Sequence, residues 1–478
     1  MNAMRRSWFH LASGAGLGRI FGFVSNLLLS RWLGPADLGL FNLITTTVQT
    51  SDTLVRCGGD YALNFKLGGQ PESTKSNPGA ELARALSQLC SLATSLVCVA
   101  IGIWVWFAQG LFPLSIIPSQ RIILTGLLIL MIACEGMSAS AWEVLLVSHR
   151  TESFALRQGL FFPLRLLFAA LGSLVSSISG ALLGWCFVAV LQCFWLKKVL
   201  GNLWTPLQLW PLLVKRLLDL LRRGLPFYAA NLLSAMIFYP LLLKVATSSG
   251  LADLGYLRVG QILQQLFAFL PSTLVPVLFL KMRSQSNFKD QVVVMEQPLR
   301  IIWLLLVECL ILYYCLDYTL VKSLFGAGFT SAITPTRLLL STTLFECLAQ
   351  LVVQPLLASG NARMYAIWQN VAAVITACLG WFWIPTGGLG AYLTVRLLYV
   401  ILPLFGFGNP VLRHFNRPEK LLSLLIASFF LLFISLVQVF TDHLFVWTPF
   451  ILAIAFIGNI FLHCQDLVLL PQLLRSKS

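Results

Sequence analysis

Apolar residues run through this chain in long unbroken stretches, without the two-residue alternation of a half-buried strand or the one-sided stripe of a soluble helix. A hydrocarbon core of ~30 Å needs about 20 apolar residues per helix. On that rule the sequence predicts fourteen spans, at 8–31, 38–60, 83–108, 121–147, 154–174, 180–199, 225–247, 255–280, 299–319, 335–358, 362–383, 387–407, 421–440 and 444–464. Polar punctuation falls between them. Gly34-Pro35 sets a glycine after one helix and a proline in the first turn of the next, with Asp37 near the positive end of that helix. Ser359-Gly360-Asn361 and Pro385-Thr386-Gly387-Gly388 separate later pairs. The predicted fold class is an all-α polytopic membrane protein of about 14 transmembrane helices. A membrane β-barrel would show alternating segments of ~10 residues instead.

Two runs recur. Gly34-Pro35-Ala36-Asp37-Leu38-Gly39 returns as Gly250-Leu251-Ala252-Asp253-Leu254-Gly255, 216 positions later, with five of six residues the same. Leu27-Leu28-Leu29 is echoed by Leu241-Leu242-Leu243, and Gly180-Ala181 by Gly390-Ala391. Solenoid repeats have periods of about 20–50 residues, so this spacing marks a duplicated half-protein. Copies displaced by six spans share one orientation in the membrane, as parallel repeats about an axis along the normal. The predicted organisation is an N-lobe at 1–200, a cytoplasmic linker at 201–224, a C-lobe at 225–410 and a two-helix hairpin at 411–478 outside the duplication. In the linker, Leu212, Leu213, Leu217, Leu220 and Leu221 interleave with Lys215, Arg216, Asp219, Arg222 and Arg223. That is the pattern of an amphipathic helix on an anionic leaflet, with a cytosolic partner site as the other reading.

Composition closes off soluble folds, since 58% of the residues are hydrophobic and 11% charged, against about 25% charged in soluble domains. A net charge of +15 would suggest nucleic acid in a soluble chain, but its distribution says otherwise. Under alternating spans, 22 Lys and Arg fall on the side of the N-terminus and 5 on the other. The positive-inside rule then puts both termini in the cytoplasm and leaves no nucleic-acid partner to explain. Basic residues up to Arg6 precede a run of span length, which predicts a retained helix rather than a cleaved signal peptide. The eleven cysteines show no ligand spacing and read as small buried hydrophobes, so no metal and no cofactor is expected. No HExxH, GxSxG or Walker pattern is present, and the first outside loop holds one acid, Asp37, so the chain does not read as an enzyme. Transport without an ATP-binding loop runs on a gradient or a substrate imbalance.

A charge at mid-bilayer costs at least about 2.5–3.5 kcal/mol, so intramembrane ionisable residues are the candidate site. The cations are Arg19, Arg56, Arg157, Arg165, Arg258 and Arg396; the acids are Asp52, Asp60, Glu135, Glu143, Glu308 and Glu346; amides such as Asn26, Gln49 and Gln264 accompany them. Guanidinium groups bind phosphate oxygens through two parallel hydrogen bonds, which suits Arg19, Arg56, Arg165, Arg258 and Arg396 to an anion. Asn26, Gln49, Asp52, Asp60, Glu308 and Glu346 form the polar or ion-coupling set, with proton or sodium as the coupling ion. Gln49, Asp52, Arg56 and Asp60 share one face of span two. They read either as an ion pair locking that helix or as a polar wall on a water-filled path. The acids likewise read either as coupling sites or as partners of nearby arginines.

Gly18-Arg19-Ile20-Phe21-Gly22-Phe23 followed by Arg31-Trp32-Leu33-Gly34-Pro35-Ala36-Asp37-Leu38-Gly39 resembles the opening of bacterial polysaccharide-biosynthesis export proteins. These are lipid-linked oligosaccharide flippases of the multidrug/oligosaccharidyl-lipid/polysaccharide superfamily. Leu225-Pro226-Phe227, Leu357-Ala358-Ser359-Gly360-Asn361 and Ile384-Pro385-Thr386-Gly387-Gly388-Leu389-Gly390-Ala391 extend the likeness over essentially the whole chain. The resemblance implies two lobes in a V, alternating access by lobe rocking, and passage of an undecaprenyl-diphosphate-linked oligosaccharide across the inner membrane. It implies membrane lipids, a glycan polymerase and glycosyltransferases as neighbours in the same pathway. Related lipid II flippases follow the Arg-x-x-Gly element of span one with an Arg-Asp pair. Ser25-Asn26 stands there in this chain, which argues against lipid II. A proton- or sodium-coupled multidrug antiporter is the alternative, and a glycan polymerase or ligase a third, for which a sizeable outside loop is missing.

Overall fold

The computed structural model describes residues 2–56, 93–101, 118–147, 156–200, 232–283, 285, 287–359, 362–415 and 425–434, less Ser95 and Ala427. The predicted linker at 201–224 and most of the predicted hairpin at 411–478 lie outside the described residues. Among the described residues every regular element is helical and no strand occurs. By length and composition, five helical stretches can cross a membrane: Gln120–Ser138, Gly159–Leu200, Phe288–Leu324, Ala327–Ala358 and Arg363–Gly408. The chain is an all-α, multi-pass membrane protein, divided into two compact units, Met1–Gly255 and Tyr256–Ser478.

In the first unit, α1 (Asn2–Arg56) is two helical segments joined at Gly34, where φ is 72°. A side chain rarely adopts that angle, and Pro35 behind it cannot continue the hydrogen-bond ladder, so the predicted break falls there. After α2 (Pro118–Val147), α3 (Phe162–Leu200) is interrupted at Ser176–Ser177. Its two segments fold back on each other. A methyl on Gly180 would lie 2.1 Å from the carbonyl oxygen of Gly172, and one on Gly184 would lie 2.0 Å from that of Phe168. Glycine therefore lets two antiparallel helices touch backbone to backbone. The second segment of α3 runs parallel to α2, with the Cys186 thiol on the carbonyl of Leu127 and the Cys193 thiol on that of Cys134. Trp142 stacks on Trp195 with centroids 5.6 Å apart, and Phe161 packs on the same ring.

α4 (Leu232–Ser248) follows, and Gly250 (φ 97°) turns the chain into α5 (Leu251–Phe267). Here the duplication becomes three-dimensional. A methyl on Gly39 would lie 1.8 Å from the carbonyl oxygen of Leu251, and a methyl on Gly255 would lie 2.0 Å from that of Pro35. Pro35 and Leu251 are the same position of the two motif copies, as are Gly39 and Gly255, so the copies pack reciprocally. The Asn42 amide donates to the carbonyl of Leu254, and the Thr47 and Tyr239 hydroxyls lie 2.9 Å apart.

The second unit takes the rest of α5, then α6 (Phe269–Arg283), α7 (Phe288–Leu324), a 3-10 turn (Ala327–Ala332), α8 (Ile333–Ala358), α9 (Ala362–Pro403), a π turn (Leu404–Gly408) and α10 (Asn409–Leu412). Within the span predicted at 255–280, Pro271 has no N–H for the carbonyl of Phe267, so one bond of the ladder is missing where α5 gives way to α6, while Ala268 still donates to Gln264 and Ser272 to Ala268. α8 is the buried centre, packed on α6, α7 and α9. Leu338, Leu339, Leu340, Leu344 and Phe345 are all buried along it. The outer faces are apolar too, including Leu312 and Leu316 on α7 and Val374 and Phe382 on α9. An exposed apolar rim around satisfied helical backbone is what a lipid solvent requires.

Candidate functional site

Each unit holds one intramembrane guanidinium between a glutamate and a glutamine. In the first, Arg165 of α3 donates from Nη1 to Glu135 of α2 and from Nη2 to Gln192 of α3. Its Cζ lies 5.8 Å from the centroid of the Trp185 ring. The pair is closed in, with side chains 8% and 15% exposed for Arg165 and Glu135. Gln192 is buried.

In the second unit, Arg396 of α9 donates to one oxygen of Glu346 on α8, from Nε at 3.0 Å and from Nη2 at 2.8 Å. The other carboxylate oxygen accepts from Gln264 Nε2 of α5 at 2.6 Å, and Arg396 Nη2 also reaches Gln264 Oε1 at 3.5 Å. This cluster is more open, with Arg396 and Glu346 22% and 20% exposed. Glu135 and Glu346 are 211 positions apart, between the 216 and 210 that separate the motif copies on either side. Both lie on the corresponding predicted span of their half, 121–147 and 335–358, but the arginines come from different places. Arg396 lies six residues after Gly390, and six residues after Gly180 is Cys186, next to the Trp185 that Arg165 covers.

The other predicted residues divide. Arg258 is buried on α5, and Arg19 is half-buried on α1. Asn26 is buried and its amide donates to the Gly22 carbonyl one turn earlier, at 2.9 Å. Gln49 is exposed and Asp52 half-buried on α1. The Arg56 side chain, Asp60 and the Glu143 side chain lie outside the description, so the Asp52–Arg56 pairing does too. Glu308 is half-buried on α7, with both carboxylate oxygens shielded and no hydrogen bond to the described residues. Sequence reasoning missed a third buried pair, Asp317 of α7 with Arg337 of α8, where Arg337 also lies over Tyr314. Arg337 reads as a loop cation at the predicted start of a span. Only packing of α7 against α8 makes it internal.

The chain has an all-helical membrane fold shared with solved transporters of the multidrug/oligosaccharidyl-lipid/polysaccharide superfamily. Among solved structures it is similar to the lipid II flippase MurJ in an inward closed conformation, with a TM-score of 0.72 and 13% identity over 96% of this chain and 99% of that one. A transporter of the same superfamily from Pyrococcus furiosus matches with a TM-score of 0.58 and 14% identity, over 86% of this chain and 96% of that one. An outward-facing multidrug resistance MATE family transporter matches at 0.54 and 13%, over 85% and 95%. No family model matches the sequence, and no curated protein matches it.

Proposed function

We propose that the protein flips a lipid-linked oligosaccharide, carried on undecaprenyl diphosphate, across the bacterial inner membrane by alternating access, for surface polysaccharide biosynthesis. The observation that carries this reading is the Arg396 cluster, a partly open guanidinium inside a membrane-spanning unit. A diphosphate needs such a group when it leaves water, while the lipid tail stays in the bilayer. Arg258 and Arg19 add cationic side chains within the spans. The fold supports the reading, since the match to a lipid flippase takes in 96% of this chain. The distribution of Lys and Arg supports cytoplasmic termini.

Flipping in reconstituted vesicles tests it. A fluorescent polyprenyl-diphosphate oligosaccharide is followed by its accessibility to an impermeant quencher, with wild type and with Arg19→Ala, Arg258→Ala and Arg396→Ala. Protein-dependent flipping that falls at least tenfold in one folded arginine variant is expected. Efflux of an organic cation without flipping would move the protein to multidrug antiport. Flipping that survives all three substitutions would keep the activity and remove these arginines from it.

A further inference from the structure

We propose that Cys134 and Cys193 form a redox-active dithiol, a modification site at which a peroxide converts the two thiols into a disulfide joining α2 to α3. The site lies within the first unit and does not depend on what the protein transports.

Helix register brings the pair together. The Cys193 thiol donates to the Cys134 carbonyl at 3.4 Å, and two turns earlier on both helices the Cys186 thiol donates to the Leu127 carbonyl at 3.6 Å. Both contacts join positions 59 apart, so α2 and the second segment of α3 run in fixed parallel register. The two contacts differ in what stands opposite the thiol. Cys186 faces a leucine. Cys193 faces a second cysteine, and the two sulfurs act on each other directly. Cys98 also ends on a carbonyl without a sulfur behind it, that of Ile129, at 3.8 Å.

The surroundings suit thiol oxidation. Cys134 and Cys193 adjoin Glu135 and Gln192 in the chain, the two residues that hold Arg165. Arg165 acts electrostatically on both sulfurs, so negative charge that develops on a sulfur as its proton leaves meets a guanidinium. Cys193 is half-buried and Cys134 is buried, at 8% exposure. Accessibility therefore sets the order of events. The Cys193 sulfur attacks one oxygen of hydrogen peroxide, the O–O bond breaks, and the thiol proton leaves with the departing hydroxide as water. Cys193 is then a sulfenic acid. The Cys134 sulfur attacks it, the S–O bond breaks, and the Cys134 proton leaves with that hydroxide as a second water. Two thiols lose two electrons and two protons, and the peroxide takes up both. A dithiol reductant reverses the change by exchange.

The test is a peptide map. Full-length protein in lipid nanodiscs is treated with hydrogen peroxide, denatured, alkylated and digested for mass spectrometry. Peptides linked through Cys134 and Cys193 are expected as the dominant disulfide, and they should disappear after dithiothreitol. Cys134→Ser is expected to leave Cys193 as a sulfenic acid that a dimedone probe captures, whereas wild type should show little capture. Oxidised wild type should melt about 5–10 °C above the reduced protein, because the link closes a long loop. That shift should be absent from Cys193→Ser. Both thiols remaining open to alkylation, a dominant link to Cys98 or Cys186, or dimedone capture as strong in wild type as in Cys134→Ser would each overturn the site. If a serine variant fails to fold, the wild-type map still decides.

Discussion

Arg396 holds Glu346 through two donors, at 3.0 and 2.8 Å, and in the first unit Glu135 is held by Arg165, an arginine from a different place in the chain's repeat pattern. An ionised carboxylate within a membrane unit needs a cation within reach, and any neighbouring helix that supplies one satisfies it.

The closed pair in the first unit is expected to be structural. Arg165→Ala would leave Glu135 buried and uncompensated, at a cost of about 3–5 kcal/mol. Thermal unfolding in detergent should show a large fall in midpoint. The double variant Arg165→Met, Glu135→Leu should recover most of it, because no charge remains to be paired. Equal losses in the single and double variants would argue against the pair.

The reciprocal contact of the two motif copies sets a steric test. Gly39→Val or Gly255→Val would drive a side chain into a backbone carbonyl that already lies within 2.0 Å of a methyl at either position. Folded yield is expected to collapse, or the protein to be trapped with these segments apart and inactive in flipping. Gly126 lies on α2 with nothing within 4 Å of a methyl, so Gly126→Ala should be neutral or gain up to about 1 kcal/mol of helix propensity.

Ser177 is the non-glycine residue with a positive φ among the described residues, at 43°, and its hydroxyl donates to the Asp37 carboxylate. Left-handed backbone costs a residue with a Cβ roughly 1–2 kcal/mol, and an exposed hydrogen bond returns less than a buried one. Ser177→Gly is therefore expected to be near neutral in denaturant melts. Ser177→Val, which keeps the strain and loses the bond, should be destabilising by about 1–2 kcal/mol.

Asp253, in the first turn of α5, has its carboxyl raised above the usual carboxylate range by burial. A raised folded value means that the folded state holds the proton longer than the unfolded chain. The stability tied to it is present at low pH and is lost as pH rises through the folded value. Asp253→Asn should then raise the melting temperature at pH 7–8, with the gain shrinking toward pH 4. A gain independent of pH would assign the effect to something other than this carboxyl.

Helical class, membrane location and the internal repeat were legible in the sequence because each rests on local pattern. Span length, glycine and proline punctuation, and identity at a constant offset need no tertiary information. The breaks at Gly34 and Gly388 fall where turn chemistry puts them, and the one near Ser177 falls between the spans predicted at 154–174 and 180–199. The proline-weakened turn after Phe267 lies inside one predicted span, because the apolar pattern runs through it.

The candidate site was legible only as an inventory. Residue type and hydropathy placed Arg165, Arg396, Glu135 and Glu346 inside spans. Their pairing joins residues 30 and 50 positions apart, across helices whose rotation and depth no local pattern specifies. Asp317 and Arg337 make the same point from the other side, since each looks like a span-end charge until α7 and α8 bury both.

What the sequence determined by itself is the solvent this chain folds in, its helical class and its duplicated origin, because transfer energies and backbone preferences act residue by residue. What tertiary structure alone decided is which charges neutralise each other, that the two glycine motifs meet backbone to backbone, and which guanidinium keeps an open edge. Those depend on distances of a few ångströms between segments far apart in the chain, and only packing sets them.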